Sequence, residues 1–320
     1  MGADLASELT TVLGTGVVDL RRLSGGASRE TWAFDAVDGG ARRPLVLQRQ
    51  RTGQSVVAKA GMQAEARLLR LAAAAGVPVP AVVVSGAEAG GTLPALGRAW
   101  MVVERLEGET LARRILRDAA FAAARPRLAA QCGVALAGIH TVDADLVPEL
   151  EGGDQLAQCR AILDGLGEPH PAFELGFRWL GANRPPPGPE TVVHGDFRNG
   201  NLVVGPEGLV AVLDWELAHL GDPLEDLGWL CVKSWRFGAA PRVGGFGTVD
   251  DLVAAYEAAS GRTVDRPALA WWEALGTLKW GIMCMVQASR HLSGDDRSVE
   301  LAAIGRRVCE VEHDLLLLLP

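Results

Sequence analysis

Apolar and polar positions alternate through VVDLRRL, TWAFDAV and PLVLQ between residues 17 and 48, and the segments between them, SGGASRE and DGGARR, are built from turn formers. Period-two alternation bounded by such breakers predicts three antiparallel strands. The spacing changes in AKAGMQAEARLLRLAAAAG, where apolar residues recur every third or fourth position and stop at Gly76 before VPVP, which cannot continue a helix. A helix from about Val57 to Ala75 is predicted. VPAVVVSG and RAWMVVERLEGE read as two more strands, the second running into a connector at Gly108.

Downstream the period is helical in LAAQCGVALAGIHTV, in DDLVAAYEAASG, in the tryptophan-rich stretch from Pro267 to His291 and in the C-terminal segment. One β-rich island interrupts it, TVVHGDFRNGNLVVGPEGLVAVLDWE. Within it NLVV and LVAVLDW are apolar strands joined by GPEG, the pattern of a β-hairpin. The fold class is therefore α+β: a strand-rich part over residues 1–105 and a mainly helical part over 106–320 with an embedded hairpin. ANRPPPGP, from Ala182 to Pro189, reads as a stiff loop, and VGGFG, from Val243 to Gly247, as a mobile one.

Composition narrows the partners. A chain of 320 residues, 48% hydrophobic and 22% charged, suits a globular protein with a sizeable core. Its net charge of −8 provides no broad attraction to nucleic acid or to an anionic membrane, and neither partner is expected. The start, MGADLASELTTVL, has no basic segment followed by an apolar run, and the apolar run Leu315 to Leu319 falls far short of the roughly 20 residues that span a bilayer. A cytoplasmic protein is expected. Cys132, Cys159, Cys231, Cys284 and Cys309 are scattered without CxxC pairs, which reads as reduced thiols.

The chemistry concentrates in HGDFRNGN and the LDWE that follows. Folding the hairpin about Gly205 to Gly208 brings Asn201 and Asp214 to the same open end, beside Asp196. Carboxylate and amide oxygens meeting there suit a hard cation such as Mg2+, which keeps water and phosphate as its other ligands. Taken singly these residues are ordinary turn formers; their order and the hairpin between them carry the signal.

His194, Asp196 and Asn201, spaced as His-x-Asp-x-x-x-x-Asn, with Asp214 one hairpin later, resemble the catalytic and metal-binding segments of the protein-kinase-like fold. The HGD form and the trailing LDWELAHLGDPLEDLGWL resemble more closely the aminoglycoside phosphotransferase family, in particular the subgroup associated with acyl-CoA dehydrogenases. The resemblance implies a bilobal fold: an N-terminal five-stranded antiparallel sheet plus helix, and a helical C-terminal lobe. It implies ATP and magnesium as cofactors, Asp196 as the base for a substrate hydroxyl, Asn201 and Asp214 as metal ligands, and Arg198 as a countercharge to the γ-phosphate.

It extends to the N-terminal part. Gly25, Gly26 and Ser28 in LSGGASRETWAF fall where small residues let backbone N–H groups approach phosphate. Glu65 falls where the family's glutamate pairs with a basic residue of the third strand, and Glu104 to Leu106 where hinge backbone groups meet adenine. The third strand carries no lysine: strand alternation puts Gln48 in its place, and Arg49 or Arg51 reaches phosphate only if the strand end bends.

Other conspicuous residues read as structure: His194 braces the loop, His140 packs at a helix end, and Asp222 and Asp226 brace the helix that follows them. Glu216 reads as either a supporting acid or a surface charge. Trp229, Trp235, Trp271, Trp272 and Trp280 read as core, or else as walls of the acceptor pocket. The expected acceptor is a small-molecule hydroxyl. Few acids accompany the site, which disfavours a polycationic sugar, and the subgroup hints at a hydroxyacyl thioester. Antibiotic, amino-alcohol and sugar acceptors, and a weakly active nucleotide-binding protein, are the alternatives.

Overall fold

The computed structural model describes residues 2–23, 29–50, 61–86, 96–97 and 99–319. It opens on α1 (Gly2–Leu13), a helix absent from the expectations above although Leu5 and Leu9, one turn apart, are both buried. Then come β1 (Gly16–Arg22), β2 (Arg29–Asp38), β3 (Ala41–Gln50), α2 (Met62–Ala74), β4 (Val82–Ser85) and β5 (Trp100–Glu104). The five strands form one antiparallel sheet in the order β1-β2-β3-β5-β4, as expected. The expected helix start at Val57 lies outside the described residues; α2 begins after Gly61.

Gly39 and Gly40, both at positive φ, make the two-residue turn that joins β2 to β3 with the right twist. From that turn the pairing runs without a slip from Asp38 opposite Ala41 to Arg29 opposite Gln50. Side chains alternate, so Leu45 and Leu47 enter a core with Leu5, Leu9, Phe34 and Trp100, while Val46 packs on the other face, against the core that includes α2. Gln48 shares the face of Val46.

After β5 the chain is mainly helical: α3 (Ala112–Arg117), α4 (Arg125–Ile139), α5 (Gln155–Leu166), α6 (Pro171–Ala182), β6 (Thr191–Val193), β7 (Leu202–Gly205), β8 (Gly208–Val212), β9 (His219–Gly221), α7 (Leu224–Cys231), α8 (Val249–Ser260), α9 (Arg266–Ser293), α10 (Val299–Gly305) and α11 (Val308–Leu318). Asp154 caps α5 by accepting the amides of Leu156 and Ala157, and Gly167 ends it in the left-handed conformation. With 28 residues, α9 is about 42 Å long and packs against α5, α6, α7, α10 and α11. No described helix is long and apolar enough to cross a membrane.

Two short ladders hold the loop of interest. β6 pairs with β9 and β7 with β8, so residues 194–201 run from one ladder to the other. VGGFG, expected to be mobile, is instead a packed turn: Val243 and Phe246 are buried, and Val243 bridges Gly247. The glycines allow it, since a Cβ on Gly245 would stand 2.6 Å from the carbonyl of Arg236.

Candidate active site

The loop is braced from beneath. The Asp226 carboxylate, fully buried on α7, accepts the amides of His194 (2.7 Å) and Gly195 (2.9 Å) and lies 3.2 Å from His140 Nε2. Burial alone would raise its pKa; the hydrogen bond and charge of His140, with the His194 amide, hold it below the usual carboxylate range. Asp226 thus supports the 194–201 loop rather than its own helix, whereas Asp222 accepts the Leu224 amide as expected. Gly195 has φ +76°, and a Cβ there would meet the Leu217 carbonyl at 2.4 Å. His194 is fully buried against Phe197 and Trp215, and burial pushes its pKa down. Neutral imidazole fits its partners: Nε2 donates to the Leu213 carbonyl (3.0 Å) and Nδ1 accepts the Asp196 amide (3.2 Å).

Asp196 is 9% exposed and its carboxylate is aimed by three side chains. Asn201 Nδ2 donates to Oδ2 (2.6 Å), Trp229 Nε1 to Oδ1 (2.9 Å) and Arg198 Nε to Oδ1 (3.0 Å). The Arg198 guanidinium in turn lies 4.7 Å from the centre of the Trp235 ring. Trp229 itself is flanked by Lys279, whose Nζ is 5.3 Å from its ring and 3.0 Å from buried Glu225. For Glu225, burial opposes the charge, yet Lys279 and His219 hold its carboxyl far below the ordinary range. Trp229, expected as core or as pocket wall, is a donor to Asp196, and Lys279 is not singled out by the sequence at all; nothing in the spacing of LGWL marks one tryptophan as the donor.

The hairpin brings Asn201 and Asp214 together as its turn chemistry predicts, with the Leu213 amide donating to the Asn201 carbonyl at 2.8 Å. Asp214 takes φ +65°, an unusual conformation for a non-glycine residue that re-aims the chain after β8. It is exposed to solvent, with protein packed nearby. That crowding, with Glu216 and Asp196 adding to it and Arg29 opposing, pushes its carboxyl up to about 7. Among the described residues no three His, Cys, Asp or Glu side chains cluster to hold a metal alone. Magnesium needs no such cluster: the Asn201 amide nitrogen is committed to Asp196, which keeps its oxygen for an ion, and a divalent charge would relieve the carboxylates around Asp214. The donor set fits the ion.

On the sheet side the expected ion pair exists with a different cation. Glu65, 2% exposed on α2, is held by Arg29 of β2, with Nη1 to Oε1 at 2.8 Å and Nη2 to Oε2 at 2.6 Å. Arg29 also reaches Glu216 at 3.2 Å, and these carboxylates outweigh its burial and hold its pKa well above the ordinary value. Gln48 lies beside it on the same face, its buried Oε1 without a hydrogen-bond partner among the described residues. Arg49 points to the opposite face and pairs with Glu30 at 2.6 Å, because the strand runs straight through this position. Glu104 pairs through its side chain with Arg43 and through its amide with the Ala81 carbonyl. Neither backbone group of Leu106 has a backbone partner among the described residues. Gly25, Gly26, Ser28 and Arg51 lie outside the described residues.

Two surface cavities lie apart from these groups. One of about 650 Å³ is lined by Arg242, Arg266 and Glu273, and one of about 380 Å³ lies between the proline-rich loop and Trp271 and Trp272.

Residues 19–272 match the Phosphotransferase enzyme family, APH. Among curated proteins the chain is 28% identical to mouse acyl-CoA dehydrogenase family member 10 over 249 residues, which is 72% of this chain and 22% of the relative. It is 25% identical to chicken acyl-CoA dehydrogenase family member 11 over 306 residues, 88% of this chain and 38% of the relative. The matches therefore span well under half of those relatives' lengths. Among solved structures, a Ralstonia eutropha protein assigned as an aminoglycoside phosphotransferase superposes with a TM-score of 0.73 at 20% identity, covering 99% of this chain and 97% of that one. Aminoglycoside phosphotransferase APH(4)-Ia, in a ternary complex with AMP-PNP and hygromycin B, superposes with a TM-score of 0.61 at 18% identity, covering 97% and 98%.

Proposed function

Because the chain belongs to the phosphotransferase enzyme family, we propose that it transfers the γ-phosphate of ATP, with magnesium, to the hydroxyl of a small molecule, and that the acceptor is a hydroxyacyl thioester. The observation that carries the reading is the Asp196 carboxylate, sunk in a braced loop and aimed by Trp229, Arg198 and Asn201 beside Asp214.

Phosphoryl transfer asks the protein for position and charge more than for covalent chemistry. Asp196 accepts the acceptor's hydroxyl proton as that oxygen attacks, and its three donors keep the carboxylate in the attacking orientation. Arg198, bonded to Asp196 through Nε, offers its remaining N–H groups to the transferring phosphoryl oxygens. Backbone groups of Glu104 to Leu106 receive the adenine edge. Asn201 and Asp214 hold magnesium, which supplies neutralisation of phosphate charge when bound.

The acceptor class rests on what surrounds Asp196. Arg198 and Lys279 keep 25% and 17% of their side chains exposed, while Glu225 keeps 7%. The indole N–H groups of Trp235 and Trp280 are buried without acceptors among the described residues. Cations and indole rings suit an extended acceptor that combines apolar chain with carbonyl and phosphate oxygen, and they do not suit a polycation. The likeness to proteins named for acyl-CoA dehydrogenases supports the same class.

The test is turnover of magnesium–ATP with a panel of hydroxyacyl-CoA thioesters, amino alcohols, sugars and aminoglycosides, read by mass spectrometry of the product. A phosphorylated hydroxyacyl thioester is expected, with turnover falling by about 10²–10⁴ in Asp196→Ala while ATP affinity is retained. Phosphorylation of another acceptor alone overturns the acceptor class; ATP binding without turnover on any acceptor overturns the kinase reading and leaves a nucleotide-binding protein, the alternative motivated by Gln48.

A further inference from the structure

We infer that Arg29, at the start of β2, is the cation that holds the nucleotide's phosphates in place of the lysine that β3 lacks. The inference rests on the reading of the site as one for ATP.

A triphosphate needs fixed positive charge beside its metal. On the sheet face that carries Gln48, the register sets Arg29 opposite Gln50 and Thr31 opposite Gln48, so Arg29 stands one side-chain row from the position where a lysine is missing. Gln48 is neutral, and Arg49, the next basic residue along β3, is turned to the other face and committed to Glu30. Arg29 is therefore the cation that the β2–β3 ladder brings to this face beside Glu65.

Its anchoring matches the task. Arg29 Nη1 donates to Oε1 of the buried Glu65 carboxylate, while Nη2 stands 2.6 Å from Glu65 Oε2 and 3.2 Å from Glu216, two residues beyond Asp214. A guanidinium has five N–H donors, so one hydrogen bond and two ion-pair contacts leave it donors for another oxyanion. The 3.2 Å contact with Glu216 ties the guanidinium to the segment that carries Asp214, the carboxylate assigned to magnesium. The side chain keeps 12% of its surface open, against 2% for Glu65. A cation locked on one side by a buried acid and open on the other is built to meet a third group, and the segment leading into it, LSGGAS, is the one whose small residues suit phosphate.

The test is isothermal titration calorimetry of the full chain with ATP, ADP and adenosine in the presence of magnesium. Arg29→Gln alone would strand Glu65, so it is made with Glu65→Gln, and in a second variant with Gln48→Lys, which returns a cation to the neighbouring row. Expected for Arg29→Gln/Glu65→Gln is a loss of at least about tenfold in affinity for ATP and ADP, with adenosine unchanged. Arg29→Gln/Gln48→Lys is expected to recover much of that loss. The inference is overturned if the first variant binds ATP within about twofold of the wild type, or if adenosine affinity falls as much as that for ATP, the signature of a merely structural pair. Failure of the wild type to bind magnesium–ATP would instead defeat the kinase reading itself.

Discussion

Trp229 donates its indole N–H to Asp196 Oδ1 across 2.9 Å, from a helix 33 residues further along the chain. The bond crosses from α7 to the loop 194–201, and the same helix carries Asp226, which holds that loop by two amides. One element thus positions both the backbone and the carboxylate of the proposed base.

Trp229→Phe keeps the ring and removes the donor. A hydrogen bond to a charged group is worth about 1.5–3 kcal/mol. If Asp196 must be held in one orientation to accept a proton, kcat should fall by about ten- to a hundredfold with the KM for ATP nearly unchanged. Steady-state kinetics with a thermal melt on the same sample checks this; unchanged kcat would make Trp229 a packing residue.

Asp214→Ala should remove magnesium-dependent nucleotide binding. Calorimetric titration of ATP with and without magnesium is the measurement, and in the variant the two isotherms should coincide. Asn201→Ala should weaken the magnesium dependence and remove one of the three side-chain donors to the Asp196 carboxylate as well, since the Asn201 side chain serves both.

Asp226→Ala would leave two amides and His140 without their acceptor in a fully buried site. A loss of about 3–5 kcal/mol is expected from urea unfolding. The pH dependence has a definite sign. The folded carboxyl sits below its ordinary value, so its contribution is complete above the unfolded value of about 3.9 and is lost as pH falls through the folded value. Asp226→Asn should flatten that acid limb of the stability curve below about pH 4.

Gly195→Ala asks an L side chain to adopt φ +76° with its Cβ 2.4 Å from the Leu217 carbonyl. Left-handed strain of about 1–2 kcal/mol adds to overpacking of about 1–3 kcal/mol. The expected result is a clear drop in Tm together with loss of turnover, because the residue that must shift adjoins Asp196.

Much of this was legible in the sequence where the responsible physics is local. Alternation marked β1, β2 and β3, the Gly39–Gly40 turn set the pairing of β2 with β3, and GPEG closed the hairpin that places Asn201 beside Leu213. Counting out from that glycine turn also places Arg29 opposite Gln50, on the face of Gln48, so the cation of the Glu65 pair was recoverable from register even though attention to β3 alone led to Arg49. The mobile reading of VGGFG failed because glycine marks permitted backbone shapes, and it says nothing of the neighbours that fill the space above them.

What the sequence by itself determined is the five strands of the sheet, the hairpin, most of the long helices, and the order of the motif residues with their likeness to a phosphotransferase, because periodicity, turn chemistry and motif spacing act over a few residues. Only the tertiary structure decided that Trp229 aims Asp196, that Asp226 holds the loop, that Arg29 rather than a β3 residue pairs with Glu65, and that crowding lifts the Asp214 carboxyl to about 7. Those outcomes depend on which side chains meet across helices and strands far apart in the chain, and on how much water their meeting excludes. Long-range packing sets both.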